Sequence, residues 1–101
     1  MARKVIWIPA AYEDLERIWD YIARDSLVYA RMTVARIVTS ARDLSRFPGI
    51  GRIVPEFDDP RLRERIVKSY RLIYRVERER VVVLAIIHGA RQLPDEIRYR
   101  N

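Results

Sequence analysis

The chain has no cysteine, one histidine, three glycines, and no apolar run long enough to span a bilayer. Without cysteine there are no disulfides, which fits a cytoplasmic protein. One histidine and no cysteine leave too few soft ligands for a zinc site. The residues call for no metal or cofactor, and no stretch of ~18 apolar residues points to the membrane. The first residues, "MARKVIWIPAAYEDLERIW", open with two basic groups, Arg3 and Lys4, but have no long apolar core and no cleavage site, so they do not read as a signal peptide. The "GIG" at 49–51 follows a helical pattern rather than a strand and lacks a third glycine, so it is no phosphate cradle.

What is present is arginine. Of twenty basic residues only Lys4 and Lys68 are lysine, which leaves eighteen arginines and a net charge of +6. The excess concentrates in 61–80, where Arg61, Arg63, Arg65, Lys68, Arg71, Arg75, Arg78 and Arg80 face Glu64, Glu77 and Glu79. Such a stripe suits an acidic partner, either nucleic acid or an acidic protein segment; it equally suits a salt-bridged surface.

At 101 residues the chain reads as one domain, 1–101, ending in a polar tail at about 95–101 that is expected to fray. "KVIWI" is a short strand closed by Pro9, and proline suits a first helical turn. Ala11, Leu15, Ile18, Trp19 and Ile22 place a helix over 10–24; Asp25 or Ser26 caps a second over 27–46, carried by Ala30, Val34, Ile37, Val38, Ala41 and Leu44. The short link makes the pair an antiparallel hairpin. A loop over 47–61 follows, then strands near 63–68, 70–77 and 81–88. Ser69 is expected as a bend or bulge, and "ERER" at 77–80 as a hairpin turn. "VVVLAII" is apolar on both faces, hence a central strand, while Trp7, Trp19, Tyr70 and Tyr74 lie on apolar faces and read as core. Glu13, Glu16, Asp58 and Asp59 read as surface or loop carboxylates. The predicted fold is α+β, β-α-α-β-β-β, with the helical hairpin on one face of a small, mostly antiparallel sheet whose other face is partly open.

Three stretches, "AYEDLERIWDYIARDS", "FPGIGRIVPEFDDPRLRERIVKSYRLIYRV" and "VLAIIHGARQLP", together resemble the ParE branch of the RelE/ParE superfamily of type II toxin–antitoxin toxins. The resemblance covers about Val5 to Pro94 and implies that same fold. It implies a toxin neutralised by a cognate antitoxin, whose acidic amphipathic segment wraps it in a hetero-oligomer. RelE-like members cut messenger RNA on the ribosome; ParE-like members poison DNA gyrase.

The nucleases place an arginine on the strand matching 70–77 and another just after the last strand, and Arg71 and Arg91 match those positions. Metal-free RNA cleavage also needs proton exchange, which arginine does not supply near neutral pH. His88 could do it, or could be structural, hydrogen-bonded to the turn at Gly89. Arg71 has a structural alternative too, a salt bridge to Glu64 or Glu77. The strand "RERIVK" offers no lysine pair, with Lys68 a single candidate, and the nearest aromatic after Arg91 is Tyr99. The leading expectation is therefore a non-enzymatic gyrase inhibitor. Its partner surface is expected at Arg63, Arg65, Lys68, Arg71, Arg75 and Arg91. The alternatives are a ribosome-dependent mRNA endoribonuclease using Arg71, Arg91 and His88, and a degenerate member that only binds antitoxin.

Overall fold

Pro9 opens the first helix at the position where its missing N–H costs nothing. The computed structural model describes residues 2–101. Over these residues it contains β1 (Lys4–Trp7), α1 (Pro9–Ala23), α2 (Leu27–Asp43), β2 (Arg52–Ile53), β3 (Leu62–Val67), β4 (Tyr70–Val76), β5 (Arg80–His88) and a 3-10 helix (Asp95–Tyr99). Ala11, Leu15 and Ile18 line the buried side of α1. Ser26 caps α2, its side-chain oxygen accepting the Tyr29 N–H at 3.0 Å.

Helix α2 stops three residues short of the predicted end. Leu44, Ser45 and Arg46 each donate to the carbonyl three residues back, tightening the last turn ahead of Pro48. Leu44 stays buried in the core, so its apolar spacing still reads as helix.

The sheet order is β1-β5-β4-β3-β2. β1 runs parallel to β5; the other pairs are antiparallel. This is the α+β architecture expected, with one added strand: β2, two residues long, lies inside the predicted loop and pairs Arg52 with Glu64 and Ile53 with Arg63. The link at Ser69 is also sharper than a bend. Val67 pairs directly with Tyr70, so Lys68 and Ser69 form a two-residue hairpin turn, with Lys68 at φ 54°. The predicted turn at 77–80 forms, closed by the Glu77 N–H on the Arg80 carbonyl at 2.9 Å. Leu84 is left without an opposite residue between Val83, which pairs with Tyr74, and Ala85, which pairs with Ile73.

Alternation sends Arg65, Leu72 and Tyr74 to the helix-covered face and Glu64, Arg71, Ile73 and Arg75 to the other. The second face is partly covered by the chain's own C-terminal segment, which the structure docks as a short 3-10 helix. Ile97 is 1% exposed, and the Arg98 guanidinium lies 5.2 Å from the Phe57 ring centre. One isoleucine in a polar run carries no periodicity, which is why the sequence pattern missed this docking. Ile66 remains exposed on the same face. Among the described residues no helix is long and apolar enough to cross a membrane.

Candidate functional site

The residues singled out from the sequence divide between the two faces of the sheet. On the second face, Arg71 is almost wholly enclosed. Its Nη1 and Nη2 donate to the two oxygens of Glu56, both at 2.8 Å, and its Nε donates to Glu64 Oε1 at 2.7 Å. Nη2 also donates to Glu64. The Glu64 side chain is fully buried and takes a further 2.6 Å bond from Arg52 Nε on its other oxygen. Four charged groups thus form a chain, Arg52–Glu64–Arg71–Glu56, with the guanidinium bidentate as its planar fork prefers. The hydrogen bonds that Arg71 donates to Glu56, opposed by burial and aided by Glu64, hold its guanidinium further toward the charged form than usual. Arg75, on the same face, donates to Glu77 at 3.0 Å and to the Arg100 carbonyl at 2.9 Å.

The ion pairs give this face an acid sensitivity. The Arg71 hydrogen bond draws the Glu56 carboxyl below its ordinary 4.5, and Arg80 does the same to Glu77. A carboxyl lowered in the folded state adds stability that is fully present above the unfolded value. That stability is lost as pH falls through the lower, folded value. Denaturation midpoints measured from about pH 7 to 3 should stay level until near pH 4.5 and then fall, with a shallower fall in Glu56→Gln. A midpoint indifferent to acid would show that these pairs carry no net stability.

On the helix-covered face, Arg63 Nη1 donates to the Gly51 carbonyl at 3.0 Å and its Nε to the Pro60 carbonyl at 3.1 Å. Arg65 Nη1 donates to the Ser40 carbonyl and to Asp43, clamping β3 to the end of α2. These two arginines, read from the sequence as partner contacts, have backbone and carboxylate acceptors within the fold.

Lys68, His88 and Arg91 come together elsewhere, in an open groove of about 800 Å³ between α1, the β3–β4 turn and the C-terminal segment. Tyr21, Tyr29 and Tyr70 also line it. Lys68 Nζ stands 4.7 Å over the centre of the Tyr29 ring. His88 meets Tyr70 edge-on at 5.5 Å, and burial pushes the Tyr70 hydroxyl pKa up. His88 Nδ1 accepts the Ala90 N–H at 3.2 Å, so the neutral ring carries its proton on Nε2. The histidine is itself exposed and thereby bound to the turn beyond Gly89. Arg71 is not part of this groove.

The sequence pattern missed the groove's wall. β5 runs on past β1, which pairs only as far as Val83. The bare edge is capped by side chains: Asp14 Oδ2 accepts the Ile86 N–H at 3.1 Å, and Arg100 Nη1 donates to the Leu84 carbonyl at 3.0 Å. The difference in predicted length between the two strands was the available signal, since a long central strand beside a five-residue one leaves an edge to cover.

Among the described residues no group of three or more His, Asp or Glu side chains is placed to hold a metal ion. Comparison with known proteins gives one family and a consistent fold. A family model described as the ParE toxin of the type II toxin–antitoxin system, parDE, matches residues 5–93. Comparison with curated sequences gives no match. Among solved structures, the chromosomal ParDE toxin–antitoxin system from P. aeruginosa superposes with a TM-score of 0.71 at 22% identity, covering 86% of this chain and 96% of that one. The RelBE2 toxin–antitoxin complex from Mycobacterium tuberculosis gives 0.63 at 24% identity, with 90% and 95% covered. The YoeB/ParE toxin from Agrobacterium tumefaciens gives 0.61 at 22%, with 84% and 96% covered. At such identities the three likenesses speak for the fold.

Proposed function

This chain belongs to the ParE toxin family of type II toxin–antitoxin systems, and on that premise we propose that it inhibits DNA gyrase by binding alone and is held inactive by a cognate antitoxin. The observation that carries the proposal is the state of Arg71. A metal-free ribonuclease must gather a base, an acid and a charge-stabilising cation around one phosphate. Here the guanidinium of Arg71 is engaged by Glu56 and Glu64 on one face of the sheet, while Arg91 and His88 lie in a groove off the other. An inhibitor that traps its target needs surface complementarity and no proton transfer, so this division costs it nothing. The reading calls for no cofactor or metal, and places the protein's work in the cytoplasm.

The antitoxin surface follows from the exposed apolar residues. Leu27, Val28 and Met32 on the first half of α2 are all more than half exposed, and Tyr21 joins them to the groove. An apolar strip beside Lys68 and Arg91, on a chain of net charge +6, suits an amphipathic acidic segment that folds on docking.

A ribosome-dependent endoribonuclease has one observation in its favour, the meeting of His88, Lys68 and Arg91 in one groove. The two activities separate in one experiment. The purified chain is expected to inhibit gyrase supercoiling and stabilise cleaved DNA at concentrations that leave ribosome-bound mRNA intact. Cleavage of mRNA with supercoiling unaffected would overturn the gyrase reading.

A further inference from the structure

Three segments far apart in the chain meet at the end of the molecule opposite the exposed apolar strip of α2. The Arg3 N–H donates to the Ser45 carbonyl at 2.8 Å, and Ser45 Oγ donates back to the Arg3 carbonyl at 2.7 Å. Arg3 Nε donates to the Arg78 carbonyl at 3.2 Å, and the Lys4 N–H to the Glu79 carbonyl at 3.3 Å. The start of β1, the end of α2 and the β4–β5 turn are thereby fixed against one another.

These segments carry Arg3, Lys4, Arg42, Arg46 and Arg78. Among the described residues none of the five forms an ion pair; the one side-chain bond is that of Arg3 to a carbonyl. Three carboxylates lie close in the chain, of which Glu77 is taken by Arg75 and Arg80. Asp43 is taken by Arg65 at 3.0 Å, and Glu79 alone is uncommitted. The contrast with the sequence's arginine stripe is sharp. There Arg61, Arg63, Arg65, Arg71, Arg75 and Arg80 all have acceptors within the fold. Arg24, Arg31, Arg36 and Arg91 are also without acceptors, but they are scattered over the helices and the groove, whereas five cations free of ion pairs are carried by the segments joined at this pole.

Holding like charges together costs free energy unless an anion offsets it. Guanidinium forks with empty donors, on rigid backbone and spread over three elements, suit a row of phosphates better than a single one. Phe47, next to Arg46 and 61% exposed, adds a bare aromatic face of the kind on which an unpaired base stacks. We infer that this pole is a binding site for the sugar–phosphate backbone of nucleic acid, with Phe47 stacking on a base when the strand is single. The site is distinct from the groove and from the Arg71 network, and it stands whether the cellular target is gyrase or mRNA.

The test uses the purified chain with a fluorescent single-stranded oligonucleotide and the corresponding duplex, in the absence of gyrase and ribosomes, so that its outcome bears on this site alone. Anisotropy titrations over a range of salt should show affinity falling with salt for both probes. The single strand should bind more tightly, and Phe47→Ala should abolish that margin. Replacing Arg42, Arg46 and Arg78 together by alanine should lower the salt slope by about 2–3, at ~0.7–0.9 for each phosphate that the protein no longer neutralises. These residues are exposed and unpaired, so the fold should survive, as circular dichroism would verify. The control changes three other exposed arginines outside the groove's cationic set, Arg24, Arg31 and Arg36, to alanine, removing equal charge away from the pole. An unchanged slope in the first variant, or an equal loss in the control, would overturn the site. A single strand bound no more tightly than the duplex would overturn the role of Phe47.

Discussion

Arg71→Ala is expected to destabilise the fold by about 3–5 kcal/mol, the usual cost of removing one partner from a buried ion pair. The substitution leaves the Glu64 carboxylate, fully buried, with only the exposed Arg52 to satisfy it. It also frees Glu56 from its two bonds. In a domain whose total stability is of order 5–15 kcal/mol, that is a large fraction. Urea denaturation of the variant and parent measures it directly. Adding Glu64→Gln to Arg71→Ala should recover part of the loss, because a neutral amide no longer strands a buried charge. A single variant within about 1 kcal/mol of the parent would show that water or rearrangement replaces the pair. The consequence for functional work is practical. Loss of growth inhibition in Arg71→Ala would report a damaged fold as readily as a missing phosphate ligand, whereas Arg91, exposed in the groove, can be removed without that ambiguity.

Gly51→Ala should be nearly as harmful, for a steric reason. A Cβ at this position would fall on the Glu64 carbonyl oxygen and 2.6 Å from the Tyr74 hydroxyl. Neither can withdraw cheaply. The first is backbone of the β2–β3 pair; the second accepts the Gly51 N–H at 2.9 Å and donates to the Pro48 carbonyl at 2.8 Å from a fully buried ring. Overpacking of this kind costs about 1–3 kcal/mol, and displacing the buried hydroxyl from its partners adds to it. Gly49→Ala, two residues away, is the matched control, since a Cβ there meets nothing within 4 Å. Thermal melts of the two variants should differ clearly. Equal midpoints would mean that the loop over 48–51 shifts freely and that its seat on Tyr74 is unimportant.

The elements legible in the sequence are those with long, regular burial. Ala11, Leu15 and Ile18 announce α1 because each turn of the helix presents one of them to the sheet, and the run Val81–Ile86 announces a strand with neighbours on both edges. β2 was invisible because two residues show no alternation; it exists only where Arg52 and Ile53 find β3 beside them. The turn at Lys68 was blurred by the lack of a glycine where the chain takes a positive φ. At the site, alternation alone divides Arg65 from Arg71, and Glu64 was a candidate partner of Arg71 from strand spacing. Glu56 was not, since it reaches Arg71 from a loop whose path no periodicity describes. The charge at the Arg3–Ser45–Arg78 junction was likewise hidden, because its members are contributed by segments with no local relation to one another.

The parallel pairing of β1 with β5 bears on when this molecule comes into being. Lys4–Trp7 emerges from the ribosome long before its hydrogen-bonding partners, Arg80–Val83, are made. A parallel neighbour cannot be supplied by a local hairpin. Nascent β1 therefore waits unpaired, and the apolar side of α1 lacks the strand it packs against until β5 is synthesised. Contacts of such sequence separation also slow the final closure. A truncated product ending before β5 lacks the strand that joins β1 to β4 and the wall of the groove, and its turn at 77–80 stays unclosed. Translation that stalls before this strand yields a chain without the surfaces described here, so in a growing cell the protein acquires them together, and only after β5 has left the ribosome.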